Sequence, residues 1–139
     1  MSDLRNAFIE EAESRGIECG YQHGDIVGFI IDPTEYIDID CDYLQIAVEF
    51  LDGEIRIRII NISKAKYRSK ALDFLCLFNM SNVFGTYTMR DDNTVDYTSF
   101  KCYVGSEDDP DCIFEMMEMC LGELEEYYKD LVGPIFQES

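Results

Sequence analysis

The chain has 139 residues, 47% of them hydrophobic, and a formal net charge of −18 at pH 7. This length predicts one domain, spanning residues 1–139, with room for a buried core, and the apolar content excludes a disordered polymer. The charge excludes nucleic acid and anionic membrane surfaces as partners and points to basic ones. Polar residues follow Met1 at once, and no apolar run approaches the ~20 residues of a membrane span. A cytoplasmic protein is expected.

In chain order, Ser2 is placed to cap a first helix running to about Arg15, before Gly16, with Leu4, Ala7, Phe8 and Ala12 as its apolar stripe. The run "GDIVGFIID" reads as a strand, and the acidic connection "PTEYIDIDCD" opens on Pro33. In "LQIAVEFLDGEIRIRIINI" the pair Asp52-Gly53 is a two-residue hairpin turn. Folding about it sets Phe50 opposite Ile55, Val48 opposite Ile57 and Ile46 opposite Ile59 on one face. Glu49 meets Arg56 and Ala47 meets Arg58 on the other, and a one-residue slip would expose the isoleucines. Ser63 is expected to cap a second helix in which Tyr67, Ala71, Phe74, Leu75 and Phe78 recur at helical spacing, with Asn79 ending it. "NMSNVFG" is the corner that follows, where Asn and Gly suit positive φ and local backbone bonding. The next hairpin turns near Asp92-Asn93, and its alternation changes parity around Thr98 and Ser99, which predicts a bulge. Asp109 caps the last helix with Pro110 at its first position, and Gly133-Pro134 stops it. Ile113, Met117, Cys120, Leu124, Tyr127 and Leu131 line one face. The predicted order is α-β-β-β-α-β-β-α: an α+β fold with an antiparallel sheet of about five strands and helices packed on it.

No motif assembles a catalytic site, so no enzyme, cofactor or metal is expected. Asp38, Asp40, Asp42 and Glu49 stand at calcium-loop spacing, but Tyr43 occupies the position that needs glycine, and Glu49 belongs to a patterned strand. The six cysteines form no C-x-x-C pair and the single histidine, His23, has no obvious partner, so buried free thiols and a surface or turn histidine are expected. Gly20 and Gly24 match no phosphate loop. Glu107, Asp108, Asp109 and Asp111 crowd the start of the last helix, where they complement its dipole. The Met116, Met117 and Met119 cluster reads as core or as an adaptable binding surface.

Six of the eleven cations lie between Arg56 and Lys70, a span with no acidic residue. Lys64 and Lys66 are expected in the first turn of the second helix, where positive charge is unfavourable. Either the protein's own acidic field offsets them, or Arg56, Arg58, Lys66 and Lys70 meet an acidic or phosphorylated partner. The last helix carries Phe114, Met116, Met119 and Tyr128 beside its main stripe. A helix on a sheet needs only one stripe, so these four are expected to face another subunit or a bound segment, and the open sheet to leave two edges for strand addition.

The helix end "LDFLCLFNMSNVFG", with Asn79 and Asn82 before the strand at Gly85, and the final acidic helix from Pro110 to Leu131 resemble the type III secretion chaperone-like fold. Within it the chain looks most like the bacterial YbjN-type domains, from about Asp25 onward. That resemblance implies a cytosolic, commonly dimeric protein that binds protein segments, chaperone-like or regulatory in role, and not an enzyme. The acidic "PTEYIDIDCD" connection and the cysteines depart from it. The rival reading is an acidic immunity or inhibitor protein that neutralises a basic toxin or nuclease.

Overall fold

The structure, a computed structural model, describes residues 2–104 and 109–138, with the side chains of residues 2, 137 and 138 outside that set. The expected Ser2 cap and the carboxylates of Glu107 and Asp108 lie outside the described residues.

The elements run α1 (Ser2–Ser14), β1 (Tyr21–His23), β2 (Ile26–Ile31), a 3-10 turn (Pro33–Glu35), β3 (Leu44–Leu51), β4 (Glu54–Ala65), α2 (Arg68–Ser81), β5 (Gly85–Met89), β6 (Thr94–Ser99), β7 (Cys102–Tyr103), α3 (Asp111–Leu131) and β8 (Phe136–Glu138). One antiparallel sheet is ordered β1-β2-β3-β4-β6-β5, with β7 and β8 also pairing with β4. The α+β class is as expected, but the strands among the described residues number eight rather than five. The three additions are two or three residues long, too short for a periodic signal.

The β3–β4 hairpin has the expected register throughout, including Glu49 opposite Arg56 and Ala47 opposite Arg58. Gly53 has φ +72, which the turn requires. Ile46, Val48, Phe50, Ile55, Ile57 and Ile59 are each at most 1% exposed and form the core face. Phe8 of α1 lies on that face, its ring 5.8 Å from those of Phe29 and Phe50 and 5.0 Å from that of Phe114 on α3. Burying such a cluster stabilises the fold by roughly 1.5–3 kcal/mol per side chain.

Two irregularities shape β4. Between the Ile59–Tyr97 and Ser63–Val95 pairs β4 advances four residues and β6 two. Asn61 in this bulge has φ +56, and its N–H donates to Asp96 Oδ1 at 2.9 Å. Between the Arg58–Thr98 and Ile55–Cys102 pairs the partner chain gains one residue, which places the expected bulge just after Thr98.

Ser63 does not cap α2. It continues β4, where β8 returns from the chain end to pair Ser63 with Glu138 and Ala65 with Phe136. Its hydroxyl is buried without a hydrogen-bond partner among the described residues. Lys64 is therefore a strand residue and Lys66 lies in the connection, so neither opposes a helix dipole. Helix α2 starts at Arg68 and runs past Asn79 to Ser81. Helix α3 begins at Asp111 with Pro110, φ −59, in the cap position, one residue later than the sequence implies, while Asp109 Oδ1 accepts from Asp111 N at 3.0 Å.

Candidate protein-binding surface

The corner after α2 is held from both sides. Asn79 projects its amide across to β5, the edge strand: Tyr87 N donates to Asn79 Oδ1 at 2.6 Å, and Asn79 Nδ2 donates to Tyr87 O at 2.9 Å. One side chain thus satisfies the backbone groups that a further strand would use, and the expected free edge is closed at that point. Asn82 follows in extended conformation, φ −78 and ψ 140, with its amide buried and unpaired among the described residues. The expected positive φ at this corner is absent. Gly85 is required instead by close approach, since a Cβ there would lie 2.4 Å from Thr98 O.

From the other side, Glu123 of α3 reaches under the corner. Val83 N donates to its Oε2 at 2.5 Å and Phe84 N to its Oε1 at 3.1 Å. The Tyr97 hydroxyl donates to the same carboxylate, and the Tyr87 hydroxyl to the Glu123 carbonyl at 3.1 Å. Glu123 is 9% exposed, so these bonds work in a low dielectric. Burial, joined by the bond to Glu123 at Tyr97 and the Glu123 charge at Tyr87, pushes both tyrosines well above the ordinary phenol range. Burial likewise pushes the neighbouring Cys120 thiol up to about 12.

On this rigid base stands an apolar surface. Helix α2 buries only Ala71, Leu75 and Phe78. Phe78 stacks on Tyr127 at 4.4 Å and meets Tyr87 edge-on at 6.1 Å. Phe74, Leu77, Met80, Val83, Phe84 and Phe100 remain exposed, Met80 at 83% and Val83 at 72%. Phe74 and Tyr67 belong to the stripe expected from the sequence but are exposed, and Leu77, Met80 and Phe100 are not singled out there. The available signal was a helix with apolar residues on every side, more than one packing face can cover.

The expected contact residues separate. Arg56 is bound to Glu49 at 2.6 Å, and Arg58 lies 3.9 Å from the buried Asp96, which Arg90 also binds at 3.1 Å. Arg68 donates to Arg90 O at 2.9 Å and Asn93 Oδ1 at 2.7 Å. Lys66 and Lys70 are exposed and form no ion pair among the described residues. Phe114 and Tyr128 are not surface residues: they are 2% and 5% exposed, because α1 covers Phe114 and Tyr128 turns inward beside the Asp40–Leu44 segment. Met117 is core, Met116 half-buried and Met119 46% exposed. Of the four off-stripe residues of α3, Phe114 and Tyr128 therefore cannot face another subunit, and Met119 is the exposed one.

Glu49 is committed to Arg56, and among the described residues no three His, Cys, Asp or Glu side chains are placed to hold a metal ion. His23 is exposed on β1. All six cysteines are free; Cys19 and Cys120 are buried, but Cys76 and Cys102 are exposed, against expectation. Two hollows occur elsewhere, one lined by Asp40, Cys41, Asp42 and Tyr43, the other over Gly28 and Ala47 between Tyr21 and Arg58. Neither places a histidine beside a nucleophile. No helix among the described residues is long and apolar enough to cross a membrane.

No protein-family model and no curated protein matches this sequence. Among solved structures the chain is similar to YbjN from E. coli, described as a proposed transcription regulator, with a TM-score of 0.58 at 12% identity. The match covers 91% of this chain and 90% of that one. The fold is YbjN-like, as the sequence resemblance implied.

Proposed function

We propose that this chain is a non-enzymatic, cytoplasmic protein-binding domain with a chaperone-like or regulatory role. The carrying observation is the exposed apolar face of α2 and the Val83–Phe84 corner, on a backbone anchored by Glu123 and Asn79. Contiguous exposed apolar side chains rimmed by charge mark protein contact sites, and a preorganised backbone lowers the ordering cost of binding. The likeness to a proposed regulator supports the same class. The rival reading, an acidic inhibitor of a basic toxin, needs an excess of carboxylates around the apolar face, whereas from Lys66 to Phe84 the chain carries three cations and only one carboxylate, Asp73.

The test is affinity capture from native lysate with the wild-type chain, a Leu77→Ser/Met80→Ser variant and an unrelated acidic protein of matched charge. The wild type should retain a protein that the variant loses while its unfolding midpoint is unchanged. Retention no better than the charge-matched control would refute the reading.

A further inference from the structure

We infer that the occupant of this face is an amphipathic helix whose apolar stripe is flanked by acidic residues. The inference rests on the protein-binding reading and names its partner. Three observations carry it.

The first is shape. Phe74, Leu77 and Met80 recur every third residue along the 14-residue α2, and Val83 and Phe84 prolong the row on a backbone clamped by Glu123. Such a ridge fits the groove of another helix. The second is the closed edge. Asn79 occupies the outward N–H and C=O of Tyr87, so an extended segment cannot lengthen the sheet beside α2 there. The third is charge. From Lys66 to Phe84 the chain carries three cations and a single carboxylate, Asp73, in a molecule of net charge −18. Arg68 spends its hydrogen bonds on a carbonyl and a neutral amide and forms no ion pair among the described residues. A second copy docking through its own α2 would set two faces of the same positive sign together and supply only Asp73 against each set of cations. An acidic helix supplies the missing counter-charges and the apolar stripe at once.

The experiment is a magnetic-resonance titration of the isotope-labelled chain with a synthetic helical peptide of about five turns. Its leucines stand at i, i+3, i+4 and i+7 and are flanked by glutamates. The same peptide with every Glu replaced by Lys and a scrambled sequence are the controls. The acidic peptide should shift the amides of α2, Val83, Phe84 and Phe100, and bind about tenfold or more tighter than the Lys version, by less at high salt. Leu77→Ser/Met80→Ser should abolish the shifts, and Lys66→Glu/Lys70→Glu should weaken binding about tenfold. Equal binding of the Lys peptide, or shifts away from α2, would overturn the inference. So would a dimer, seen by light scattering, that Leu77→Ser/Met80→Ser dissociates, because it would assign the face to a second copy. Lysate capture that succeeds while the acidic peptide binds nowhere would leave the protein-binding reading standing without this partner.

Discussion

Glu123 interrupts the buried face of α3 with a carboxylate, and its surroundings explain why it is tolerated. Its two oxygens accept two backbone N–H groups and the Tyr97 hydroxyl, so neither the Val83 nor the Phe84 amide is left bare. Glu123→Gln keeps one acceptor oxygen and should cost about 1–2 kcal/mol; Glu123→Ala strands both amides and should cost about 3–5 kcal/mol. Urea unfolding of the two variants measures the difference, and equal midpoints would show that the clamp contributes nothing. The same cluster predicts a pH effect. Cys120 has its pKa raised from 9.0 to about 12, and Tyr87 and Tyr97 are raised above 10.0, in each case chiefly by burial. The folded state keeps these protons while the unfolded state releases them. The stabilisation is therefore complete below about pH 9 and lost as pH rises, from about 9 for Cys120 and from about 10 for the two tyrosines, at about 1.4 kcal/mol per pH unit for each group. Denaturant midpoints at pH 7, 9 and 11 should fall in that order, and Tyr97→Phe should flatten the slope.

At the scale of elements, Asn79 joins the last turn of α2 to the exposed edge of β5. Replacing it by Ala removes two hydrogen bonds and bares the Tyr87 N–H and C=O, which should cost about 1–3 kcal/mol. The freed edge also becomes a template for pairing. Light scattering on concentrated Asn79→Ala protein should detect association that the wild type does not show; a monodisperse variant would mean that the edge is protected by other means. The helices divide the labour similarly. Phe8 of α1 packs against Phe114, and Arg15, just past the end of α1, lies over the Phe114 ring at 3.9 Å, so Phe114 is covered from that side. Among the described residues the outer side of α2 keeps Leu77 and Met80 exposed.

Over the whole molecule, the charge of −18 is spread over acidic residues with few cations to offset them, so self-repulsion opposes folding. Added monovalent salt should raise the unfolding midpoint by screening that repulsion. Lys66→Gln and Lys70→Gln should each change stability by no more than about 0.5–1 kcal/mol, since neither lysine forms an ion pair among the described residues. A larger loss in calorimetry would mean that these lysines hold the fold rather than await a partner.

What the sequence determined by itself is local. The β3–β4 register follows from Asp52-Gly53 and an alternation of period two, and the start of α3, to within one residue, from Asp109 and Pro110, because turn chemistry and side-chain periodicity act over a few residues. The YbjN-like fold was legible for the same reason: its elements are long and patterned. Only the tertiary structure decided that Ser63 belongs to β4, because its strand partners, Val95 on β6 and Glu138 on β8, are distant in sequence. It decided that Phe114 and Tyr128 are core and that Leu77, Met80 and Phe84 are surface, because a helix with apolar residues on several sides carries no mark of which side will be covered. Burial is a property of pairs of elements distant in sequence, and one element's periodicity does not encode the partner that packs against it.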